Sequence, residues 1–211
     1  MRVCSELVSR LLLAVYVAAL AVGQAPAKRV VVLLIGPPGA GKSTQAAFLK
    51  SKYGLPPISS EELIKENPSV LARVKQPSIA GVEPQSDPAL NRLVRERLLR
   101  TDVSKGVLLD GYPATKGHAD YLAGLLKEME LPSPVVIQLD VPDDEVRKRL
   151  KKRGLPEDTP ENIEQLLKDY HREMDLIRLY FPAADINTVN GKASPKKVSK
   201  AIQDILDKRL K

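Results

Sequence analysis

The sequence predicts an α/β fold in which helices cover both faces of a parallel sheet. Short apolar runs alternate along the chain with longer amphipathic stretches, which is the pattern of parallel strands connected by helices. A glycine-rich loop joins the first apolar run to the first amphipathic stretch. With 211 residues, 43% of them hydrophobic, the chain is long enough for one domain with a sizeable core and a modest insertion.

The elements follow from the period of the apolar residues. The apolar runs predict strands at Val30–Ile35, near Ile58, and at Val107–Asp110, Val135–Asp140 and Ile186–Val189. Helical periodicity predicts helices over residues 42–53, 88–101, 116–129, 143–152, 160–179 and 195–209. Asp143 and Ser194 are suited to cap helix N-termini, and Pro195 fits a first helical turn. Residues 61–87 are interrupted by prolines, and we expect them to form a small inserted subdomain. Residues 153–160 are expected to form a short loop between two helices.

The first 25 residues have the features of an export signal. Arg2 and Arg10 lead into an apolar run over residues 11–22, which the small-residue sequence Gly23-Gln24-Ala25 follows. A membrane span needs about 20 apolar residues, and this run is shorter. The segment predicts an exported protein, periplasmic or secreted, whose domain covers residues 26–211. The alternatives are an uncleaved anchor, with membrane contact only through residues 11–22, and a start codon assigned too early, which implies a cytoplasmic protein.

Composition narrows the possible partners. The formal net charge is +7, and a basic surface attracts nucleotides as well as nucleic acids. The lysines concentrate on predicted helix faces, where they are usually solvated, so we expect no nucleic-acid partner. The single cysteine, Cys4, precedes the apolar run, so the predicted domain has no disulfide and no thiolate zinc site.

The glycine-rich loop has the spacing of a phosphate-binding loop between a strand and a helix. It consists of Gly36, Pro37, Pro38, Gly39, Ala40, Gly41, Lys42, Ser43 and Thr44. Its glycines let successive N–H groups turn toward an anion, and the following helix adds its positive dipole end. Lys42 is expected to reach the β- and γ-phosphates, and the Ser43 hydroxyl to ligate Mg²⁺. The loop therefore predicts binding of a nucleoside triphosphate.

Two further features are expected near this loop. Asp110 ends a predicted strand, and ligands of open α/β sheets lie beyond the carboxyl ends of the strands. It is a candidate magnesium ligand, directly or through water, and capping of the next helix is the alternative. Arg149 and Arg153 are four residues apart and share a helix face, from which two guanidiniums can bind a polyphosphate. A solvated basic helix has the same spacing, so that alternative stays open.

Taken together, these motifs resemble those of the adenylate kinases and their nucleoside monophosphate kinase relatives over residues 30–207. The matching segments are residues 36–44, 58–60, 81–98, 110–113, 140–143 with Arg149 and Arg153, and 189–191. The resemblance implies a three-layer P-loop kinase fold with a monophosphate-binding insertion at about 59–87 and a short, zinc-free lid at about 153–160. It also implies a monomer that transfers the γ-phosphoryl group of Mg·ATP to a nucleoside monophosphate.

The resemblance also implies a role for each matched residue. Lys42 would hold the phosphates, while Ser43 and Asp110 would organise magnesium. Arg149 would lie over the ATP base, Arg153 would clamp the transferring phosphoryl group, and the Gly191 backbone would approach the adenine. The positions matched to the monophosphate site hold Ser60, Lys65, Gly111 and His118.

The chain departs from the family pattern mainly on the acceptor side. Lys65 and Ala114 stand where the family usually has arginines, and His118 replaces a base-reading glutamine. Leu155 and Leu166 occupy lid positions that usually carry phosphate-gripping arginines. Arginine offers phosphate a planar bidentate fork, for which lysine substitutes only a point charge. Two alternatives therefore remain: an ATP-binding module of this fold that has lost transfer, and a kinase for another small acceptor.

Overall fold

The computed structural model describes residues 29–70 and 88–210, which build a five-stranded parallel sheet. The strands are β1 (Val30–Ile35), β2 (Pro57–Ser59), β3 (Gly106–Asp110), β4 (Val135–Asp140) and β5 (Ile186–Asn190), in the order β2-β3-β1-β4-β5. All five predicted strands are confirmed. The strand order reverses beside β1, and this reversal is the position where open α/β sheets bind ligands.

The structure gives bounds for seven α-helices, and residues 68–70 are also helical. The seven are α1 (Lys42–Tyr53), α2 (Ser60–Lys65), α3 (Pro88–Leu98), α4 (Lys116–Glu128), α5 (Asp143–Arg153), α6 (Pro160–Tyr180) and α7 (Pro195–Leu210). The six predicted helices are confirmed, although α3 ends three residues before its predicted end. The prediction missed α2. Its N-cap is Ser59, whose hydroxyl accepts a hydrogen bond from the Glu62 N–H, and this Ser-x-x-Glu spacing is the sequence signature of a helix start.

The predicted cap of α5 is wrong by one residue. Pro142 occupies the N-cap position and forms no side-chain cap, while Asp143 is the first helical residue. The Asp143 carboxylate instead lies 3.1 Å from Nε2 of His171 on α6. Asp143 still favours the helix electrostatically, because it opens an acidic first turn at the positive end of the dipole. Pro195 is the first residue of α7, directly after Ser194, as predicted.

The core lies on both faces of the sheet, as the continuous apolar run of β1 requires. Alternate residues of β1 belong to opposite clusters, and each of its six residues is at most 4% exposed. One cluster includes side chains of α1, α5 and α7, and the other includes side chains of α3, α4 and most of α6. Each buried Leu or Ile contributes about 1.5–3 kcal/mol. The result is the three-layer arrangement that the sequence predicts.

The register of the strands places the candidate residues along one edge of the sheet. Leu34 of β1 pairs with Asp110 of β3, and Ser59 of β2 pairs with Asp110 from the other side. The segments that follow β1, β2 and β3 therefore begin side by side. They begin with Gly36, Ser60 and Gly111.

Two predicted segments fall partly or wholly outside this description. The predicted export signal, residues 1–25, lies outside the described residues, and so do residues 71–87 of the predicted insertion. Within residues 29–70 and 88–210, none of the helices has the length and hydropathy that a membrane crossing requires.

Candidate active site

The phosphate-binding loop leads from the end of β1 into α1 through two left-handed glycines. Gly39 has φ 72° and Gly41 has φ 97°, a backbone region that glycine enters without steric cost. Gly41 caps α1 without any side-chain hydrogen bond, and the first turn of α1 carries no acidic residue. The first N–H groups of α1 are therefore open to an anion, as the sequence predicts.

Lys42 extends over this loop. Its ammonium group donates to the carbonyl of Gly36 over 2.7 Å and lies 3.4 Å from the carbonyl oxygen of Pro37. These carbonyls belong to the loop itself, so the cation is held beside the N–H groups that face an anion. A phosphate bound there meets both the helix terminus and the lysine.

Asp110 lies half-buried at the end of β3, next to β1. Burial raises the pKa of its carboxyl group, and the nearby charges of Glu61 and Glu62 raise it further, whereas Lys42 lowers it. A carboxylate that has lost part of its hydration gains from a bound cation. With the Ser43 hydroxyl on the first turn of α1, it forms an oxygen donor set of the kind that Mg²⁺ prefers.

The predicted magnesium site has few protein donors. Among residues 29–70 and 88–210 there is no group of three or more His, Cys, Asp or Glu side chains that could hold a metal ion alone. Mg²⁺ in phosphoryl-transfer sites is usually bound by one or two protein oxygens together with the substrate phosphates and water. Ser43 and Asp110 therefore fit a metal that arrives with its nucleotide.

Arg149 connects the phosphate-binding loop to the turn between β5 and α7. Its Nη1 donates to the carbonyl of Gly39 over 3.2 Å and its Nη2 to the carbonyl of Gly191 over 3.0 Å. Its Nε donates to Glu145 over 2.9 Å, which fixes the guanidinium from behind. A Cβ at Gly191 would lie 2.5 Å from Cγ2 of Val141, so this turn packs closely against the end of β4.

Arg153 ends α5 and begins the segment 153–160, which the sequence predicts to be a lid. Its Nε donates to Asp158 over 2.9 Å, and the N–H of Leu155 donates to the same carboxylate oxygen over 3.1 Å. The Asp158 side chain is only 1% exposed, so this ion pair holds the segment after α5 together. Leu155 and Leu166 are 42% and 36% exposed. The leucines at the predicted arginine positions are therefore solvent-accessible and provide no cation.

The predicted acceptor residues Ser60, Lys65 and Gly111 lie on the β2 side of Asp110. The Ser60 hydroxyl donates to the Gly111 carbonyl over 2.8 Å, and this bond joins the start of α2 to the turn after β3. Lys65 is exposed and paired with Glu61 over 2.6 Å. A Cβ at Gly111 would lie 2.6 Å from the Ser60 hydroxyl oxygen, so the two segments are in close contact.

His118, the fourth predicted acceptor residue, has a different environment. Its ring is 1% exposed and stacks on the ring of Tyr112, with centroids 4.8 Å apart. The Tyr112 hydroxyl in turn donates to Asn91 of α3 over 2.6 Å. The structure thus places His118 in the packing between α3 and α4 and does not expose it beside Ser60 and Lys65.

Glu173 on α6 is a further candidate residue that the sequence analysis did not identify. Burial raises the pKa of its carboxyl group to about 7, and the charge of Asp110 adds to this effect while Lys42 opposes it. A carboxylate perturbed in this way beside a phosphate-binding lysine is a functional candidate. Helical spacing could have identified Glu173 as a residue of the buried face of α6. It lies three residues after Tyr170 and four before Ile177, which are both buried.

Comparisons with known proteins agree with this geometry. Residues 34–185 match the sequence profile of the family described as adenylate kinase. The chain is 38% identical over 173 residues to an adenylate kinase of Micrococcus luteus, covering 75% of this chain and 82% of that protein. It is 33% identical over 184 residues to an adenylate kinase of Leptospira biflexa, covering 81% and 96% of the two chains, and 35% identical over 191 residues to one of a Chelativorans species, covering 83% and 98%.

Proposed function

The chain belongs to the adenylate kinase family and is a kinase that transfers phosphate from ATP to a nucleoside monophosphate, and we propose that adenylate is its acceptor. The relatives from three organisms carry the name adenylate kinase, which supports adenosine monophosphate over the other monophosphates. The reaction is then the conversion of Mg·ATP and AMP into two molecules of ADP.

One structural observation supports this proposal above the others. The phosphate-binding loop with Lys42 and the carboxylate of Asp110 meet at the paired ends of β1 and β3. The space in front of them is bounded by Arg149 on one side and by Ser60 on the other. A triphosphate on the loop therefore directs its terminal phosphate toward the Ser60 side, where an acceptor is expected.

In this reaction the protein residues position the substrates and stabilise the phosphate charge. Transfer breaks the bond between the β,γ-bridging oxygen and the γ-phosphorus of ATP and forms a bond from a phosphate oxygen of AMP, so no side-chain nucleophile is required. Lys42 holds the β- and γ-phosphates against the loop. Ser43 and Asp110 are the residues that would hold Mg²⁺, which supplies neutralisation of phosphate charge.

The two arginines act at different ends of the nucleotide. Arg149, held by the Gly39 and Gly191 carbonyls, lies between the phosphates and the turn that we assign to the adenine. Gly191 brings its backbone close to the base because no side chain intervenes. Arg153 stays in the lid with Asp158 and turns to the transferring phosphoryl group when the lid closes.

The acceptor side carries fewer cations than the donor side. Ala114, Leu155 and Leu166 offer no charge, and Lys65 is an exposed point charge already paired with Glu61. Removing one preorganised donor to a transition state costs about a hundredfold to a thousandfold in rate. We therefore propose that the enzyme is a slow member of its family.

The remaining features of the chain complete the proposal. Residues 1–25 act as an export signal or an anchor, residues from about 59 to 87 form the monophosphate-binding insertion, and residues 153–160 form the lid. The enzyme works as a monomer without a nucleic-acid partner. Each of these statements rests on the sequence.

An acceptor panel tests the proposed substrate. The full-length chain is incubated with Mg·ATP and each of AMP, CMP, UMP and GMP, and nucleoside diphosphate formation is followed by chromatography, with Lys42→Ala as the blank. Turnover should be fastest with AMP and absent from the blank. A preference for another monophosphate would overturn the choice of adenylate, and hydrolysis of ATP to ADP and phosphate alone would overturn transfer.

A matched variant tests the reason for slow turnover. Ala114→Arg restores a guanidinium on the acceptor side and should raise kcat/KM for AMP by at least tenfold. Arginine placed instead at exposed Leu179, at the far end of α6, is the control and should leave kcat/KM unchanged. Equal effects of both substitutions would contradict a specific role of position 114.

A further inference from the structure

A groove runs along α4, from Pro113 after the carboxyl end of β3 to the edge of the sheet where the strands begin. It has a volume of about 940 Å³ and lies between α4, the first residues of β4 and β5, and the last turn of α7. Part of its wall is apolar, from Ala119, Leu122, Leu126, Leu131, Phe181 and Ile205. Three exposed cations also line it: Lys127 from α4, and Lys208 and Arg209 from α7. We call this surface the basic groove.

Among the described residues, the cations of the basic groove have no acidic partners. Within residues 29–70 and 88–210, Lys127, Lys208 and Arg209 form no ion pair, whereas Lys200 of the same helix α7 binds Asp204 over 2.6 Å. Cations are favoured at helix C-termini by the helix dipole, which accounts for each one separately. The dipole does not explain why the C-terminal ends of α4 and α7, with their cations, lie at the same groove. Two exposed carboxylates, Glu130 and Asp185, lie close by, so cations are in excess there.

The N-terminal segment leaves the domain beside this groove. Arg29, the first described residue, lies 3.4 Å through Nη2 from the carbonyl oxygen of Glu130, and the next residue, Leu131, lines the groove. Residues 23–28 separate the apolar run over 11–22 from Arg29. Six extended residues reach at most about 20 Å. The apolar run is therefore separated by only six residues along the sequence from Arg29, which lies beside the basic groove.

We propose that the basic groove is a docking surface for an anionic membrane, used together with the apolar segment 11–22 in the chain that retains residues 1–25 as an anchor. An apolar run too short for a span attaches a protein weakly, and stable attachment generally needs a second signal such as a polybasic patch. The phosphates of anionic lipids supply the charge that Lys127, Lys208 and Arg209 accept. The apolar walls of the groove suit the acyl part of the same lipid.

Vesicle binding by the full-length chain, including residues 1–25, tests this surface. Sedimentation with vesicles of phosphatidylcholine alone is compared with sedimentation with vesicles containing about a third phosphatidylglycerol. The edge variant is Lys208→Gln with Arg209→Gln. The matched control is Lys196→Gln with Lys197→Gln, which removes the same charge from exposed positions at the other end of α7. Circular dichroism and kinase activity verify that each variant is folded.

The proposal predicts a specific pattern. Binding should be tighter to the anionic vesicles, and the edge variant should lose roughly tenfold of that affinity while the control variant changes by less than twofold. Equal losses in both variants would overturn the proposal, because net charge alone would then explain binding. Absence of vesicle binding, or equal affinity for both lipid mixtures, would also overturn it. Tight RNA binding that only the edge variant loses, without vesicle binding, would assign the groove to nucleic acid instead.

Discussion

Replacing Glu173 by glutamine should stabilise the folded protein at high pH and have little effect at low pH. Burial raises the pKa of this carboxyl group from 4.5 to about 7, and glutamine has nearly the same shape without an ionisable proton. A group that binds its proton more tightly in the folded state lowers stability as pH rises between the two pKa values. The cost of ionising Glu173 is therefore absent below pH 4.5, grows toward pH 7, and is complete above it.

The magnitude follows from the same two pKa values. Each tenfold difference in proton affinity corresponds to about 1.4 kcal/mol, so full ionisation destabilises the folded state by about 3 kcal/mol. Because Glu173 is half-buried and not sealed from water, screening reduces this to about 2 kcal/mol. The charge of Lys42 needs no separate correction to this free energy, because the pKa of about 7 already includes its lowering effect.

Urea unfolding at pH 4.5 and at pH 8 measures the effect. Glu173→Gln should exceed the wild-type free energy of unfolding by about 2 kcal/mol at pH 8 and by a small fraction of that at pH 4.5. Glu161→Gln, at an exposed position in the first turn of the same helix, is the control and should bring no gain in stability at pH 8, because an acidic residue is favoured at a helix N-terminus. A gain that is equal at both pH values, or larger at pH 4.5, would refute the reasoning.

Three further predictions concern the phosphate-binding loop, the arginine Arg149 and the packing of β3. Lys42→Ala should reduce kcat/KM at least a hundredfold while changing the melting temperature little, because its two hydrogen bonds lie within one half-exposed loop; a large drop in melting temperature would contradict this. Arg149→Lys should raise the KM for ATP about tenfold, since a single ammonium group cannot bind the carbonyls of both Gly39 and Gly191 as the guanidinium does; an unchanged KM would contradict it. Gly106→Ala should destabilise the protein by several kcal/mol in urea unfolding, because a Cβ there would lie against the Val30 carbonyl oxygen with φ 123°. Gly124→Ala, an exposed helical site with open space, should instead be neutral or stabilising, and equal costs at both glycines would refute the steric argument.

Most of the fold could be predicted because its signals are local. The continuous apolar run of β1 indicates a strand buried on both faces of the sheet. The loop after it has the glycines, lysine and hydroxyl of a phosphate-binding loop at the required spacing. Asp110 could be assigned to the same edge because parallel strands end together, and the pairing of Leu34 with Asp110 agrees with that reasoning.

The remaining features depend on contacts between distant segments. The burial of His118 follows from the ring of Tyr112 above it, and spacing along one helix does not contain that information. The Asp158 side chain is buried against Arg153 only because the segment after α5 folds back on the end of that helix. Glu173 was passed over because a glutamate in an amphipathic helix is ordinarily solvated, and only the packing of α6 beside Lys42 and Asp110 distinguishes it.

The central claim is phosphoryl transfer from ATP to AMP at the edge formed by Lys42 and Asp110, and ³¹P nuclear magnetic resonance tests it most directly. The full-length chain is incubated with equal amounts of Mg·ATP and AMP, and the resonances of ATP, AMP, ADP and inorganic phosphate are followed together. The account predicts two ADP formed for each ATP and each AMP consumed, no free phosphate, and no change with Lys42→Ala. One ADP and one free phosphate for each ATP, with AMP unchanged, would contradict it.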